Sequence, residues 1–124
     1  VGVQGTIALG KNDCEDLIFV PLAHYPKTYQ GGIAAINKKT GEEVWYYAEN
    51  SYTWSSPSVI TGSDGNSIVI NCDLAGDIVL LDAKTGKLID KISPGGIIEA
   101  SPAFYNDMMI IGLRSSSIVG IKLT

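Results

Sequence analysis

The chain has 124 residues, 45% of them apolar and 18% charged, and a net charge of −4. This is enough apolar material to bury a core. Its nine Lys and Arg residues are scattered among thirteen acids, so no basic patch is available for a phosphate backbone and we expect no nucleic-acid partner. No apolar run reaches the roughly 18 residues that a membrane span requires.

Short apolar runs separated by clusters of Gly, Asn, Asp and Ser follow one another along the chain, without a helical period. This pattern predicts β-strands joined by tight turns, and therefore an all-β fold. In chain order the predicted strands cover residues 5–9, 17–22, 32–37, 43–48, 55–60, 67–72, 77–82, 87–92, 100–105, 108–113 and 117–122.

The strands belong to an internal repeat. Residues 32–41 align with residues 77–86 at a separation of 45, which places Thr40-Gly41 on Thr85-Gly86. Further along, residues 67–71 match residues 108–112 at a separation of 41, a difference that we assign to a shorter turn. Such periodicity indicates a repeat architecture.

Two short motifs within the repeat have local structural roles. The first is Ser-Pro at the head of a strand, where a residue without a ladder donor is tolerated; it occurs as Ser56-Pro57 and again as Ser101-Pro102. The second is a five-residue turn that opens with an Asx side chain able to bond the amides ahead of it and closes with glycine. The residues concerned are Asn37 and Gly41 in one copy, and Asp82 and Gly86 in the next.

Residues 35–45 resemble the Ala-x-Asp-x-x-Thr-Gly-x-x-x-Trp signature of the pyrroloquinoline-quinone-like β-propeller repeats. Asn37 stands at the Asp position and Trp45 closes the motif, whereas the second copy has Asp90 at the Trp position. The resemblance implies a β-propeller of four-stranded antiparallel blades. It also implies that Trp45 is buried between blades and that Asp90 is partly exposed.

On this basis residues 1–124 form part of a propeller, with an incomplete blade at 1–37, a second at 42–82 and a third at 87–124. The Asx-to-Gly turns are then links between blades. Because closed rings contain four to eight blades, we expect a longer parent protein, with the missing part on the N-terminal side. The open edges would be completed by the missing blades or by self-association.

The family includes quinone-dependent dehydrogenases, but also the propeller lipoprotein of the outer-membrane assembly machinery and surface modules that bind no quinone. In the enzymes the quinone is typically accompanied by calcium, a catalytic Asp, a stacking Trp and often an adjacent-cysteine disulfide. That set cannot be assembled here, since the sequence has no Cys-Cys pair and Trp45 is already explained by the repeat. We therefore expect no cofactor.

Other reactive residues also have simple explanations. His24, the sole histidine, has no placed triad partner, and Ser56 and Ser101 belong to the Ser-Pro motif, so we expect no catalytic and no metal-binding residues. Cys14 and Cys72 are too far apart in the repeat for a disulfide, which predicts two free thiols. The acidic loop at residues 13–16 is a solvated turn or, alternatively, a cation site.

The leading functional hypothesis is a non-catalytic propeller segment that acts as an interaction scaffold for a protein or carbohydrate ligand. Long loops and aromatic side chains mark one face, because Tyr and Trp bury large areas on binding. The residues concerned are His24, Tyr25, Tyr29, Tyr52 and Trp54.

Two alternatives remain open. The two tyrosines at 25 and 29 could cover a blade edge while Trp54 packs in a strand, or the chain could be the C-terminal part of a propeller enzyme whose active site lies in other blades. The resemblance also implies a bacterial or archaeal protein that is periplasmic, secreted or on the cell surface.

Overall fold

The computed structural model describes residues 2–24 and 30–123. The strands within this part of the chain are β1 (Ala8–Leu9), β2 (Leu17–Leu22), β3 (Gly32–Asn37), β4 (Glu43–Ala48), β5 (Ser58–Thr61), β6 (Ser67–Cys72), β7 (Ile78–Asp82), β8 (Leu88–Ile92), β9 (Ala103–Tyr105), β10 (Met108–Leu113) and β11 (Ser117–Lys122). A single 3-10 turn at Asn12–Cys14 interrupts this all-β pattern in the described residues. The fold class predicted from the sequence is confirmed.

The strands form three antiparallel sheets that follow one another along the chain. The first sheet has the order β1-β2-β3-β4, the second β5-β6-β7-β8, and the third, with three strands, β9-β10-β11. Consecutive strands are neighbours throughout, so each sheet is a simple meander. The chain passes between sheets through residues 49–57 and 93–102.

The grouping of strands predicted from the sequence is wrong. Strand β4 pairs with β3, and β8 pairs with β7, so the Asn37–Gly41 and Asp82–Gly86 turns are hairpins inside a sheet and not links between sheets. Their local chemistry is as predicted, since the side chains of Asn37 and Asp82 accept bonds from the amides two and three residues ahead. The unit therefore runs from β5 to β8, and not over residues 42–82.

The register between the second and third sheets also differs by one residue from the sequence alignment. Ala83 N–H donates to Ser67 O, and Leu123 N–H donates to Asp107 O, so Ser67 corresponds to Asp107 and not to Met108. A slip of one residue exchanges the two faces of a strand. In the corrected register Val69 corresponds to Met109, and both side chains are fully buried.

Apolar side chains fill both spaces between sheets. One cluster lies between the first and second sheets and includes Phe19, Ile33, Trp45 and Leu81. The other lies between the second and third sheets and comprises Ile70, Cys72, Ile78, Leu80, Ile98, Met109, Ile111 and Leu113. The second sheet is therefore covered on both faces, which explains why β7 is a nearly continuous apolar run.

Candidate functional site

The connection between the first and second sheets, residues 49–57, is held in place by hydrogen bonds at both ends. Glu49 N–H donates to Gly31 O and Gly31 N–H to Ser51 O, which tie it to the β2–β3 loop. Leu74 N–H donates to Tyr52 O at 2.9 Å, and Ser55 Oγ donates to Cys72 O at 2.9 Å, which tie it to the second sheet. This segment carries two of the predicted site residues, Tyr52 and Trp54.

A buried polar network joins this segment to β6 of the second sheet. Glu49 is 3% exposed; its carboxylate accepts a bond from the Thr53 hydroxyl and another from Asn71 Nδ2 at 2.9 Å. Burial, opposed by these two bonds and reinforced by the nearby Asp73 and Asp77, raises the pKa of Glu49 to about 7. A carboxyl group at the sheet junction thus changes charge near neutral pH.

Asp77 forms a second polar centre at the same junction. It accepts bonds from Asn50 Nδ2 at 2.9 Å and Ser93 Oγ at 2.6 Å, and forms an ion pair with Lys91 at 2.8 Å. The hydrogen bond from Lys91 is the main reason that the pKa of Asp77 falls to about 2. Asp77 therefore stays ionised, and it joins the connecting segment to the outer strand β8.

A cleft of about 320 Å³ opens beside this segment. Its lining residues are Gly2, Gln4, Ala23, His24, Tyr52 and Trp54. The rings of His24 and Tyr52 are 6.1 Å apart at an angle of 58°. Tyr52 and Trp54 are 45% and 40% exposed, so each presents a large aromatic surface to solvent.

The structure brings together three of the five residues predicted as a binding face, namely His24, Tyr52 and Trp54. The remaining two, Tyr25 and Tyr29, lie outside the described residues. Trp54 precedes β5 and is not a packed strand residue, in contrast to the alternative interpretation of its role.

The signature tryptophan occupies the position expected from the resemblance. Trp45 is 9% exposed, its indole N–H donates to Ala83 O at 3.0 Å, and its ring lies 5.8 Å from that of Phe19. Gly86 lies directly against it, since a Cβ at that position would stand 2.5 Å from the indole ring. Trp45 therefore joins the first sheet to the second, whereas Asp90 is exposed.

Sequence reasoning missed the burial of the polar residues, which in the described part of the chain are Glu49, Thr53, Ser55, Ser67, Asn71 and Asp73. The burial of Asn71 could have been predicted from the sequence, because a side-chain amide inside the apolar run of β6 requires a buried hydrogen-bond partner. Glu49 carried no such signal, since it stands in a polar segment that reads as an exposed loop.

The acidic loop is divided between two environments. Asp13 Oδ2 accepts a bond from Ser67 N–H at 3.2 Å, so this residue contacts the second sheet, and hydrogen bonding from Ser67 lowers its pKa. Glu15 and Asp16 are exposed. Across residues 2–24 and 30–123, no three His, Cys, Asp or Glu side chains are grouped so as to hold a metal ion.

The two cysteines are free and buried. Burial raises the pKa of the Cys72 thiol to about 12, so it is protonated at neutral pH. In the described part of the chain, no helix has the length and apolar character needed to cross a membrane.

No protein-family model matches the chain, and no curated protein matches it. Among solved structures it is similar to BamB from Moraxella catarrhalis, with a TM-score of 0.65 and 20% identity over 98% of this chain and 34% of BamB. The computationally designed Ika4 protein gives a TM-score of 0.46 at 14% identity, over 99% of this chain and 92% of Ika4, a likeness too weak to inform the fold. The chain thus spans about a third of the length of BamB. The successive antiparallel meanders and their likeness to BamB show a fold of the β-propeller type.

Proposed function

We propose that this chain is a non-catalytic propeller scaffold that binds a protein partner through the cleft lined by His24, Tyr52 and Trp54. The observation that carries the proposal is the exposure of two neighbouring large aromatic side chains on one connecting segment. Tyr and Trp contribute much of the binding energy in protein interfaces, because they bury a large area and lose few rotatable bonds.

The support beneath the cleft favours binding. Tyr52 and Trp54 stand on a segment fixed by the Glu49 network and by the bond from Leu74 N–H to Tyr52 O. A surface that is already ordered before binding loses less conformational entropy when the partner arrives. The backbone of the wall that carries Tyr52 and Trp54 would therefore need little rearrangement when a partner side chain enters the cleft.

Carbohydrate is the second candidate ligand. Gln4 and His24 place polar groups beside the aromatic faces of Tyr52 and Trp54, which is the combination that a sugar ring can use. The volume of about 320 Å³ lies at the lower end of the range for small-molecule sites.

The test is a comparison of the wild-type protein with two single variants, Trp54→Ala in the cleft and Ile89→Ala on β8 of the second sheet. Ile89 is 56% exposed and lies outside the cleft, so it controls for the loss of a large exposed side chain. Each protein is immobilised at low density and used to capture partners from a native extract, and is also applied to an oligosaccharide array.

We expect specific capture of a partner protein to be lost only in Trp54→Ala. The melting temperatures of both variants should be unchanged. Array binding that is lost in the same variant would identify a carbohydrate instead of a protein. Equal capture by all three proteins would refute a role for the cleft.

A further inference from the structure

A repeated hydrogen bond links the three sheets at their inner edges. Thr6, Ser56 and Ser101 occupy the same place in successive sheets, just before β1, β5 and β9. Thr6 N–H donates to Ser56 Oγ at 2.8 Å, and Ser56 N–H donates to Ser101 Oγ at 2.8 Å. In each case the amide of one sheet donates to the hydroxyl of the next sheet. We call this series of bonds between sheets the ladder, and it runs in one direction from the first sheet to the third.

The two ends of this ladder are complementary. Within the described residues, Ser101 N–H has no acceptor and the Thr6 hydroxyl has no donor. The amide at the end of one copy could therefore bind the hydroxyl at the beginning of another, with the same geometry as the two bonds already present.

The third sheet has an uncovered apolar face. Met109 and Ile111 pack towards the second sheet, so their neighbour Ile110 points to the opposite side, as does Ile118 beside Val119. Ile110 and Ile118 are 44% and 80% exposed. In the second sheet the corresponding residues are Ile70 and Ile78, which are 0% exposed because the third sheet covers them.

The first sheet is uncovered on the opposite side. Ala8 packs towards the second sheet, so Leu9 points away from it and is 68% exposed. Its counterpart in the second sheet, Val59, packs against the cluster shared with the first sheet. The first and third sheets therefore each expose an apolar face whose equivalent in the second sheet is covered.

We propose that the uncovered face of the third sheet, with Tyr105, Ile110 and Ile118, binds the uncovered face of the first sheet, with Leu9, in a second copy of this chain. We call these surfaces the tail face and the head face. The contact would repeat the packing between neighbouring sheets, and Ser101 N–H would donate to the Thr6 hydroxyl of the second copy. This inference does not depend on the cleft.

Three observations favour a second copy over an unrelated partner. The free donor and the free acceptor belong to one ladder, the two apolar faces are the equivalents of faces that already pack together, and both belong to the same chain. The interface joins two different surfaces, and such a head-to-tail contact closes into a ring or continues as an open filament.

The experiment is sedimentation velocity of the 124-residue protein over a wide concentration range. Ile118→Asp disables the tail face and Leu9→Asp disables the head face; both side chains are mostly exposed, so the sheets should still fold. Ile89→Asp is the matched control, because Ile89 is 56% exposed on β8 but lies on neither end face. Circular dichroism melting checks that each variant is folded.

We expect the wild type and Ile89→Asp to self-associate, and each of the two end-face variants to raise the dissociation constant by about tenfold or more. An equimolar mixture of Ile118→Asp and Leu9→Asp should recover a one-to-one complex, because each supplies the face that the other lacks. A monomeric wild type, self-association of a folded end-face variant alone, or a mixture that stays monomeric would each overturn the proposal.

Discussion

The junction between the first and second sheets and the junction between the second and third sheets are built from the same repeat but contain different groups. At the first, Trp45 donates to Ala83 O and covers Gly86. At the second, the equivalent position is the exposed Asp90, and apolar packing fills the space. A repeat can therefore keep its strands while it loses the specific side chain that joins neighbouring sheets.

The polar network shows the same contrast. Glu49, Thr53 and Asn71 at the first junction correspond to Pro94, Ile98 and Ile111 at the second. Ile98 and Ile111 are buried in the second apolar cluster. Since apolar replacement of buried polar groups is often neutral for stability, the difference concerns the pH dependence of stability more than its total.

The aromatic cleft follows this difference. Tyr52 and Trp54 correspond to Ile97 and Glu99, and the bond from Leu74 N–H to Tyr52 O corresponds to that from Arg114 N–H to Ile97 O. The backbone is thus held in the same way at both junctions, but only the first carries aromatic side chains on the connecting segment. Binding specificity can be placed on one connection without a change in the fold.

The largest expected effect comes from Trp45. Trp45→Ala should lower the free energy of unfolding by roughly 3–5 kcal/mol, because it removes a buried aromatic side chain and leaves a cavity. Asp90→Ala at the equivalent exposed position should change it by less than about 1 kcal/mol. Urea unfolding of both variants measures the contrast, and similar losses would show that the two positions are not structurally different.

The next effect concerns pH. The pKa of Glu49 lies near 7 in the folded protein and at 4.5 ordinarily, so folding favours its protonated form. The resulting stabilisation of the folded state is fully present below about pH 4.5 and is lost as the pH rises through 7. The free energy of unfolding should fall by roughly 3 kcal/mol over this range. Glu49→Gln should remove that part of the pH dependence, and Glu99→Gln, at an exposed position, should leave it unchanged; chemical unfolding at several pH values provides the measurement. A pH profile that Glu49→Gln does not alter would contradict the assignment.

The smallest effect separates two glycines with the same backbone. Gly41 and Gly86 have φ values of +74° and +72°, so alanine at either position costs about 1 kcal/mol through the left-handed conformation. Only at Gly86 would the new Cβ also collide with Trp45, which adds roughly 1–3 kcal/mol. Thermal unfolding should therefore give a lower melting temperature for Gly86→Ala than for Gly41→Ala. The reverse order would be inconsistent with this packing.

Much of the fold could be predicted from the sequence. The bounds of β2, β3, β4, β6, β10 and β11 agree with the predicted strands, because apolar runs and turn residues define them locally. The pairing of β4 with β3 could not be read in the same way. An Asx-to-Gly turn specifies a reversal of the chain, but the same turn serves as a hairpin or as a link between sheets.

The register of β10 and the buried polar network could not be predicted without knowledge of the tertiary packing. Strand β10 is apolar on both faces, so alternation does not distinguish Met108 from Met109 as the counterpart of a given residue. Glu49 is buried only because the second sheet packs over it, and no local pattern shows that. The aromatic residues of the cleft were accessible to sequence reasoning, since their loops flank one face of the sheets.

Native-state hydrogen exchange tests the contrast between the two junctions most directly. In protein kept below the concentration at which it associates, the amides of β9–β11 should exchange through an opening of lower free energy than those of β2, β3, β6 and β7, because the third sheet has three strands and no counterpart of Trp45. Trp45→Ala should then lower the opening free energy of the amides in β2 and β3 to that of the amides in β9–β11. Uniform exchange across all three sheets in the wild-type protein would contradict the account.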